Sequence, residues 1–378
     1  MIDFDTKKAI ACRGDITRFT KLFKKLEEGQ PVTVCFLGGS ITQGSLSSLP
    51  TTCYAYKVYE WFKETFKDSD ITYVNAGIGG TTSAFGAARC DRDVLSYNPD
   101  FVLVEFSVND ECNDYFYESY EGLIRKLLYS KGRPCVATLF NFYYENGKTA
   151  ERIHSKVARY YGIPAASMHG AIYEDILSGK IADINDLSPD GLHPNDKGHE
   201  LLSRVVTNLI GSLYKEYKDL DVAKEDKDIE VFEPLTINTF EKAKRLDNRN
   251  FKADLKGFKE DRSAQRDITD CFKNGWLGSL QNDKIVIELE GENECTGIAV
   301  QYDKTMKRPA PVVAVSVDDS EDKIIIDSAF DQTWGDLLDI RQIIEHEKMG
   351  PHRLTVEVID DKAGKAVPFN LVSVIITK

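Results

Sequence analysis

Four short apolar runs alternate with amphipathic segments in the first 218 residues, and this alternation constrains the fold more than any other feature of the chain. The apolar runs lie at 32–37, 71–77, 101–108 and 134–140. The helices predicted around them lie at 15–28, 54–66, 86–97, 115–130, 149–161 and 196–217. A run that is apolar throughout predicts a strand buried on both faces. Strand and helix alternating at this spacing predict a three-layer α/β domain with a parallel sheet.

The second half of the chain follows a different pattern. Residues 219–232 are charged and show no periodicity, which predicts a linker between a first domain at 1–218 and a second at 233–378. Short apolar segments bounded by Gly, Asp, Asn and Pro follow at 284–291, 295–303, 311–319, 323–330, 352–360 and 370–377. Regular short strands with turn signals predict an all-β sandwich. This domain resembles the jelly-roll-like sandwiches of carbohydrate-binding modules.

The charge balance argues against several kinds of partner. With 48 basic and 61 acidic residues the net charge is -13, which disfavours nucleic acid and acidic membrane surfaces. No apolar stretch is long enough for a transmembrane span, and the N-terminus lacks the apolar core of a secretion signal. The eight cysteines form no CxxC pair, and Cys35 lies inside an apolar run as a core thiol. We therefore expect a cytoplasmic protein with reduced thiols.

Polar and glycine-rich blocks follow three of the predicted strands, and a fourth block precedes the last helix. They read Gly-Gly-Ser-Ile-Thr at 38–42, Asn-Ala-Gly-Ile-Gly-Gly at 75–80, Ser-Val-Asn-Asp at 107–110 and Asp-Gly-Leu-His at 190–193. In an open parallel sheet the carboxyl ends of the strands meet at one edge, where active sites form. The blocks are therefore expected to converge.

In order and spacing these blocks resemble those of the SGNH, or GDSL-type, esterase superfamily, over roughly residues 30–210. The resemblance implies that Ser40 is the nucleophile, because a hydroxyl on a tight glycine turn is presented without crowding. It implies that His193 is the general base and that Asp190 holds the imidazole in the required tautomer. Ester cleavage of this kind requires no metal and no cofactor.

The resemblance also implies three donors to the oxyanion of the tetrahedral intermediate. These are the backbone N–H groups of Ser40 and Gly80 and the side-chain amide of Asn109. Because the sequence does not determine the register of the glycine loop, Gly79 is an alternative to Gly80 as the loop donor.

Two positions depart from the family pattern, and a histidine lies outside it. Gly39 stands where the family has Asp, and Ser107 stands where it has Gly. Because neither position supplies a catalytic group in the family scheme, these departures bear on the subfamily rather than on the activity. His199 lies four residues after Asn195 on the last predicted helix, and we expect it to face solvent.

Domain order indicates a class of substrate. An esterase domain followed by a sandwich is similar to carbohydrate esterase family 17, whose members deacetylate mannose units of mannan oligosaccharides. The resemblance implies an acetylated oligosaccharide as the partner, removal of a 2-O-acetyl group, and a sandwich that helps to frame the site. It does not decide the oligomeric state, which could be a homodimer or a higher homo-oligomer. Trp276 and Trp334 fall in or near predicted turns, and Trp334 is the better candidate for stacking on a sugar ring.

Three alternatives remain at this stage. A xylan-oligosaccharide acetylesterase would use the same chemistry on a different backbone. A lysophospholipase or acyl-thioesterase would prefer longer acyl chains, although no apolar lid is evident in the sequence. A catalytically inactive fold that only binds carbohydrate would not react with a serine-directed probe.

Overall fold

A computed structural model describes residues 2–219 and 230–378 of the chain. The chain divides into two compact units, Met1–Asn238 and Thr239–Lys378. The linker predicted at 219–232 lies largely outside the described residues, so that boundary stays a prediction.

The first unit is built on a six-stranded sheet. Its strands are β1 (Ile10–Cys12), β2 (Val32–Gly38), β3 (Ile71–Gly77), β4 (Phe101–Glu105), β5 (Cys135–Phe140) and β6 (Ala165–Ser167). The strand order is β1-β6-β5-β4-β2-β3, and every pair is parallel except β1 with β6. Strands β4 and β5 are buried at every position, as a parallel sheet covered on both faces requires. The predicted α/β architecture is confirmed.

The helices of this unit are α1 (Thr20–Glu27), α2 (Ser40–Gln43), α3 (Tyr54–Thr65), α4 (Ser83–Asp93), α5 (Asp114–Leu128), α6 (Glu151–Tyr160), α7 (Met168–Leu177) and α8 (Asp196–Asp219). Their apolar faces pack on the sheet, as Leu22, Phe23 and Leu26 of α1 do. All six predicted helices are present. Sequence reasoning missed β1, α2, β6 and α7, because the first three are too short to show a period. No helix among the described residues combines the length and apolar character needed to cross a bilayer.

The second unit contains two antiparallel sheets. Its strands are β7 (Lys244–Leu246), β8 (Asp254–Lys256), β9 (Lys259–Glu260), β10 (Trp276–Gly278), β11 (Lys284–Leu289), β12 (Gly297–Lys304), β13 (Val312–Val317), β14 (Ile324–Asp327), β15 (Leu337–Ile344), β16 (His352–Asp360) and β17 (Phe369–Thr377). One sheet has the order β15-β12-β17-β10-β9, with β7 also on β17, and the other has the order β14-β13-β16-β11-β8. Apolar side chains of both sheets share one core, as the alternating buried residues Leu354, Val356 and Val358 illustrate. The predicted sandwich is confirmed.

The two tryptophans considered for sugar binding have opposite environments. Trp276 begins β10 and is fully buried in the sandwich core, so it is not available to a ligand. Trp334 precedes β15 and is 62% exposed. Its ring packs edge-on against Phe330, with the ring centroids 5.0 Å apart. Exposure leaves the Trp334 ring free for stacking, and its role in binding sugar stays a prediction.

Candidate active site

Ser40, His193 and Asp190 form a continuous hydrogen-bonded relay in the first unit. Ser40 begins the short helix α2 directly after β2. Its Oγ lies 2.8 Å from Nε2 of His193, although the two residues are 153 positions apart in the chain. Nδ1 of His193 lies 2.7 Å from Oδ2 of Asp190. The structure therefore brings together the three residues that the sequence motifs selected.

The spacing of Asp190 and His193 creates a local turn that orients the imidazole. Oδ1 of Asp190 accepts the backbone N–H groups of Leu192 and His193, at 3.0 and 2.7 Å, which leaves Oδ2 for the ring. Gly191 within the turn has φ +73°, a conformation that favours glycine. Burial acts to raise the pKa of Asp190, but the hydrogen bonds from His193 and Leu192 outweigh it and hold this pKa below its ordinary value. An ionised Asp190 keeps the proton on Nδ1 and leaves Nε2 free to accept from Ser40.

Two glycines before Ser40 allow the backbone to approach its neighbours closely. A Cβ atom on Gly38 would lie 2.5 Å from the carbonyl oxygen of Glu105. A Cβ atom on Gly39 would lie 2.2 Å from Oδ1 of Asn109. In this chain the absence of a side chain at Gly39 leaves room for the carboxamide of Asn109 to lie against the Ser40 turn.

The predicted oxyanion donors lie on this turn and on the loops that follow β3 and β4. The N–H of Ser40 belongs to the first turn of α2, where backbone donors have no partner within the helix. Asn109 follows β4 and is partly buried, and its Oδ1 has no hydrogen-bond partner among the described residues. The N–H of Gly79 donates to Oε1 of Gln43 at 2.6 Å. Gly80 follows with φ +70°.

Arg89 is a buried residue that sequence reasoning missed. Its guanidinium donates to the carbonyl oxygens of Gly38 at 3.2 Å and Ala76 at 2.7 Å, and it pairs with Asp93 at 3.1 Å. These carbonyls lie at the ends of β2 and β3, so one cation connects the strands that lead to the Ser40 turn and the glycine loop. The only signal in the sequence is an i,i+4 Arg–Asp pair, which usually marks a solvent-exposed helix face.

The expectation that His199 faces solvent is wrong. Its ring is fully buried, with Nδ1 accepting the N–H of Tyr54 and Nε2 donating to the carbonyl of Ser45, both at 3.2 Å. Burial lowers the pKa of His199 to about 4, which keeps the ring neutral. Asp196, one turn earlier in α8, accepts the N–H of Ser48 at 2.8 Å. The start of α8 therefore fixes the loop that follows α2, a contact that depends on tertiary packing.

Glu105 carries a buried carboxyl group just before the Ser-Val-Asn-Asp block at 107–110. It ends β4 and is fully buried, and its Oε1 accepts the N–H and the Oγ–H of Ser107 at 3.0 and 2.8 Å. Burial raises the pKa of Glu105 to about 7, although the hydrogen bonds from Ser107 act to lower it. Ser107, which stands where the family has glycine, thus uses its hydroxyl to donate a hydrogen bond to this carboxyl group.

Glu105→Gln is expected to flatten the dependence of stability on pH. Between about pH 4.5 and 7 the folded chain keeps a proton on Glu105 that the unfolded chain releases, so the wild type loses stability as pH rises through this window. Gln cannot ionise, so we expect the substitution to reduce the loss in free energy of unfolding between pH 5 and pH 8 by about 2 to 3 kcal/mol. Urea unfolding at pH 5 and pH 8 measures the difference, with exposed Glu64→Gln as the control. The same loss of stability in wild type and Glu105→Gln would contradict the role of Glu105.

A Ser–His–Asp relay at the carboxyl edge of a parallel α/β sheet, with backbone and amide donors beside the serine, defines a serine hydrolase of the SGNH type. Residues 36–201 match the profile of the GDSL-like Lipase/Acylhydrolase family. The whole chain is 45% identical to a solved two-domain esterase active on acetylated mannans, covering 99% of that chain with a TM-score of 0.93. This chain belongs to the GDSL-like family and is a carboxylic ester hydrolase.

Two further comparisons agree with this assignment. A structure of a two-domain esterase active on acetylated mannans, co-crystallised with mannopentaose, matches 100% of this chain with the same 45% identity and TM-score of 0.93. An acetylxylan esterase of Geobacillus stearothermophilus is 25% identical over 211 residues, which span 48% of this chain and 95% of that protein. The resemblance to two-domain carbohydrate acetylesterases, inferred from the motifs and the domain order, is confirmed.

Proposed function

We propose that this enzyme removes O-acetyl groups from acetylated mannan oligosaccharides, with the 2-O-acetyl group of mannose as the preferred target. The relay from Asp190 through His193 to Ser40, with hydrogen bonds of 2.7 and 2.8 Å, carries the chemical part of the proposal. The choice of mannan is supported by the likeness along the whole chain to an esterase active on acetylated mannans. The 2-O position follows from the resemblance to carbohydrate esterase family 17.

The reaction proceeds in two steps on Ser40. Nε2 of His193 takes the proton from Oγ as Oγ attacks the acetyl carbonyl carbon, and the carbonyl electrons move onto the oxygen. As the tetrahedral intermediate collapses, the bond between the acyl carbon and the sugar oxygen breaks, and His193 gives the proton to that oxygen, which leaves as a hydroxyl group. Water then attacks the acetyl-Ser40 ester as His193 takes its proton. The bond between the acyl carbon and Oγ breaks, His193 returns the proton to Oγ, and acetate leaves. Asp190 stabilises the imidazolium formed in each step.

We assign the oxyanion hole to the N–H of Ser40, the N–H of Gly80 and the side-chain amide of Asn109. The bond from the N–H of Gly79 to Gln43 supports Gly80 as the loop donor, because the amide of Gly79 is already engaged within the protein. A carboxamide held against the Ser40 turn supports Asn109. Donors fixed before the reaction stabilise the developing charge without having to reorganise.

In the second unit we assign to Trp334 a stacking contact with a sugar ring. The exposure of its indole and the flat apolar faces of a pyranose ring support this assignment. The proposed reaction does not require a pocket for a long acyl chain, because the acetyl group has only two carbon atoms.

A second candidate is deacetylation of xylan oligosaccharides. The relatedness of the first unit to an acetylxylan esterase favours it over lipid or thioester substrates. The two candidates share every step on Ser40 and differ only in how the sugar is held.

Mass spectrometry of acetylated manno- and xylo-oligosaccharides, each incubated with wild type and with Ser40→Ala, tests the proposal. Serine-dependent loss of acetyl units from the mannan set is the expected result, and NMR of the product should show that 2-O-acetyl signals disappear first. Preference for the xylan set would replace mannan with xylan. Loss from neither set, together with rates that rise from acetyl to octanoyl aryl esters, would overturn the sugar-acetate assignment.

A further inference from the structure

Asp110, the residue after Asn109, is a buried carboxylate with two partners from different helices. It is 3% exposed, and His154 of α6 is 1% exposed. Oδ1 of Asp110 accepts the backbone N–H of Ser83 at 2.9 Å. Oδ2 lies 3.0 Å from Nε2 of His154. Because a carboxylate oxygen accepts, Nε2 carries the proton and donates it to this bond.

His154 is itself held firmly. Its ring stacks on Tyr120 of α5, with the ring centroids 3.6 Å apart and the planes inclined by 11°. The residue just before α6, Ala150, donates its N–H to the carbonyl of Ser107 at 2.7 Å. The start of α6 therefore holds the turn 107–110 at both ends, through a backbone bond at Ser107 and a side-chain bond at Asp110. Asn109 lies between these two attachments.

The second partner of Asp110 leads to the glycine loop. Ser83 is the first residue of α4 and comes three positions after Gly80. Its hydroxyl lies 2.7 Å from the hydroxyl of Ser119 on α5, which fixes the start of α4 against its neighbour. One carboxylate thus connects the segments that carry two of the three assigned oxyanion donors, Gly80 and Asn109.

We propose that His154 and Asp110 are positioning residues that fix the oxyanion hole through this connection. The inference rests on the proposed roles of Asn109 and Gly80. Without the His154 donor, Oδ2 of Asp110 would be left buried and unpaired, and the turn 107–110 would have to shift to reach water or another donor. Oxyanion donors act through fixed geometry, so a small shift of the Asn109 amide weakens the stabilisation of the transition state while leaving substrate binding almost intact.

Two substitutions at His154 separate the hydrogen bond from the packing. His154→Phe keeps an aromatic ring against Tyr120 and removes the donor, whereas His154→Gln keeps a donor near the Nε2 position and removes the ring. With an aryl acetate we expect His154→Phe to lower kcat by about 10- to 100-fold with KM changed by less than about twofold. His154→Gln should recover kcat to within about threefold of wild type. Thermal unfolding of each variant verifies the fold.

A double-mutant cycle with Asn109→Ala shows whether His154 acts through the oxyanion hole. In the Asn109→Ala background His154→Phe should lower kcat by a smaller factor than in the wild-type background, because one of the two donors that it positions is already absent and only Gly80 remains. Equal losses in both backgrounds would overturn the inference while leaving the role of Asn109 intact. Unchanged kcat in Asn109→Ala alone would overturn the proposed oxyanion role first, and the inference with it.

A further variant keeps the test decisive if His154→Phe does not fold. Asp110→Ala removes both carboxylate oxygens, so the hydrogen bonds from Ser83 and from His154 are lost together. The same cycle with Asn109→Ala then applies. A kcat equal to that of wild type in a folded Asp110→Ala would overturn the inference.

Discussion

Ser40→Ala is expected to lower the turnover of an aryl acetate by about 10⁴- to 10⁶-fold, the range seen when a triad nucleophile is removed. Alanine leaves the Ser40 turn, the assigned oxyanion donors and the His193–Asp190 pair in place, but Nε2 of His193 loses the hydroxyl that lies 2.8 Å away. No covalent acetyl intermediate can then form. Residual hydrolysis above the rate in water is expected, since binding and the oxyanion donors still stabilise attack by water.

Steady-state hydrolysis and labelling with a fluorophosphonate measure this effect independently. Ser45→Ala is the matched control, because Ser45 lies in the loop after α2 and is not part of the relay. We expect labelling of wild type and of Ser45→Ala and none of Ser40→Ala. A folded Ser40→Ala that still turns over and still takes the label would assign the nucleophile to another residue. Cys35 is a poor candidate for it, because burial raises the pKa of its thiol to about 12.

Features of the site that depend on local spacing or on strand ends were predictable from the sequence. Parallel strands deliver their following loops to one edge, which is why the motifs alone predict that Ser40 and Asn109 lie together. Because Asp190 and His193 are three residues apart, a single turn lets the carboxylate of Asp190 accept two backbone N–H groups and contact the imidazole ring of His193. The core position of Cys35 followed from the apolar run around it in the same way.

Features that depend on which helix face meets which neighbour were not predictable. α8 presents buried residues on much of its surface, so its period does not show that His199 faces α3 rather than solvent. Arg89 interrupts a run of small buried residues in α4, and two of its partners are backbone carbonyl groups, which appear in no side-chain pattern. His154 pairs with a residue 44 positions away, a contact that no local motif encodes. In each case the partner is set by tertiary packing.

The choice between Gly79 and Gly80 belongs to the same kind of problem. Both are glycines in one loop, and the motif aligns with either when the loop register is free. The distinction depends on the bond between the N–H of Gly79 and Gln43, which comes from a helix 36 positions earlier. The sequence predicts an oxyanion donor in this loop, and the hydrogen bond between Gly79 and Gln43 supports Gly80 as that donor.

Asn109→Ala is expected to lower kcat by about 100- to 1000-fold, equivalent to about 3 to 4 kcal/mol of transition-state stabilisation, with little change in KM. In the proposed mechanism the side-chain amide of Asn109 meets charge that develops only in the transition state, so its loss should affect the chemical step more than binding. The fold should survive, because Asn109 is partly exposed and its Oδ1 has no hydrogen-bond partner among the described residues that the substitution would break.

Asn113→Ala provides a matched control four residues further along the same loop. The side chain of Asn113 caps α5 by accepting the N–H of Phe116 at 3.0 Å, so its loss should lower the free energy of unfolding by about 1 kcal/mol. We expect its kcat to equal that of wild type. Opposite signatures in the two variants, lost turnover in one and lost stability in the other, would separate catalysis from folding at this edge of the sheet. If Asn109→Ala instead lost stability and kept its turnover, the amide would be a structural group and the oxyanion hole would have to be assembled from backbone donors alone.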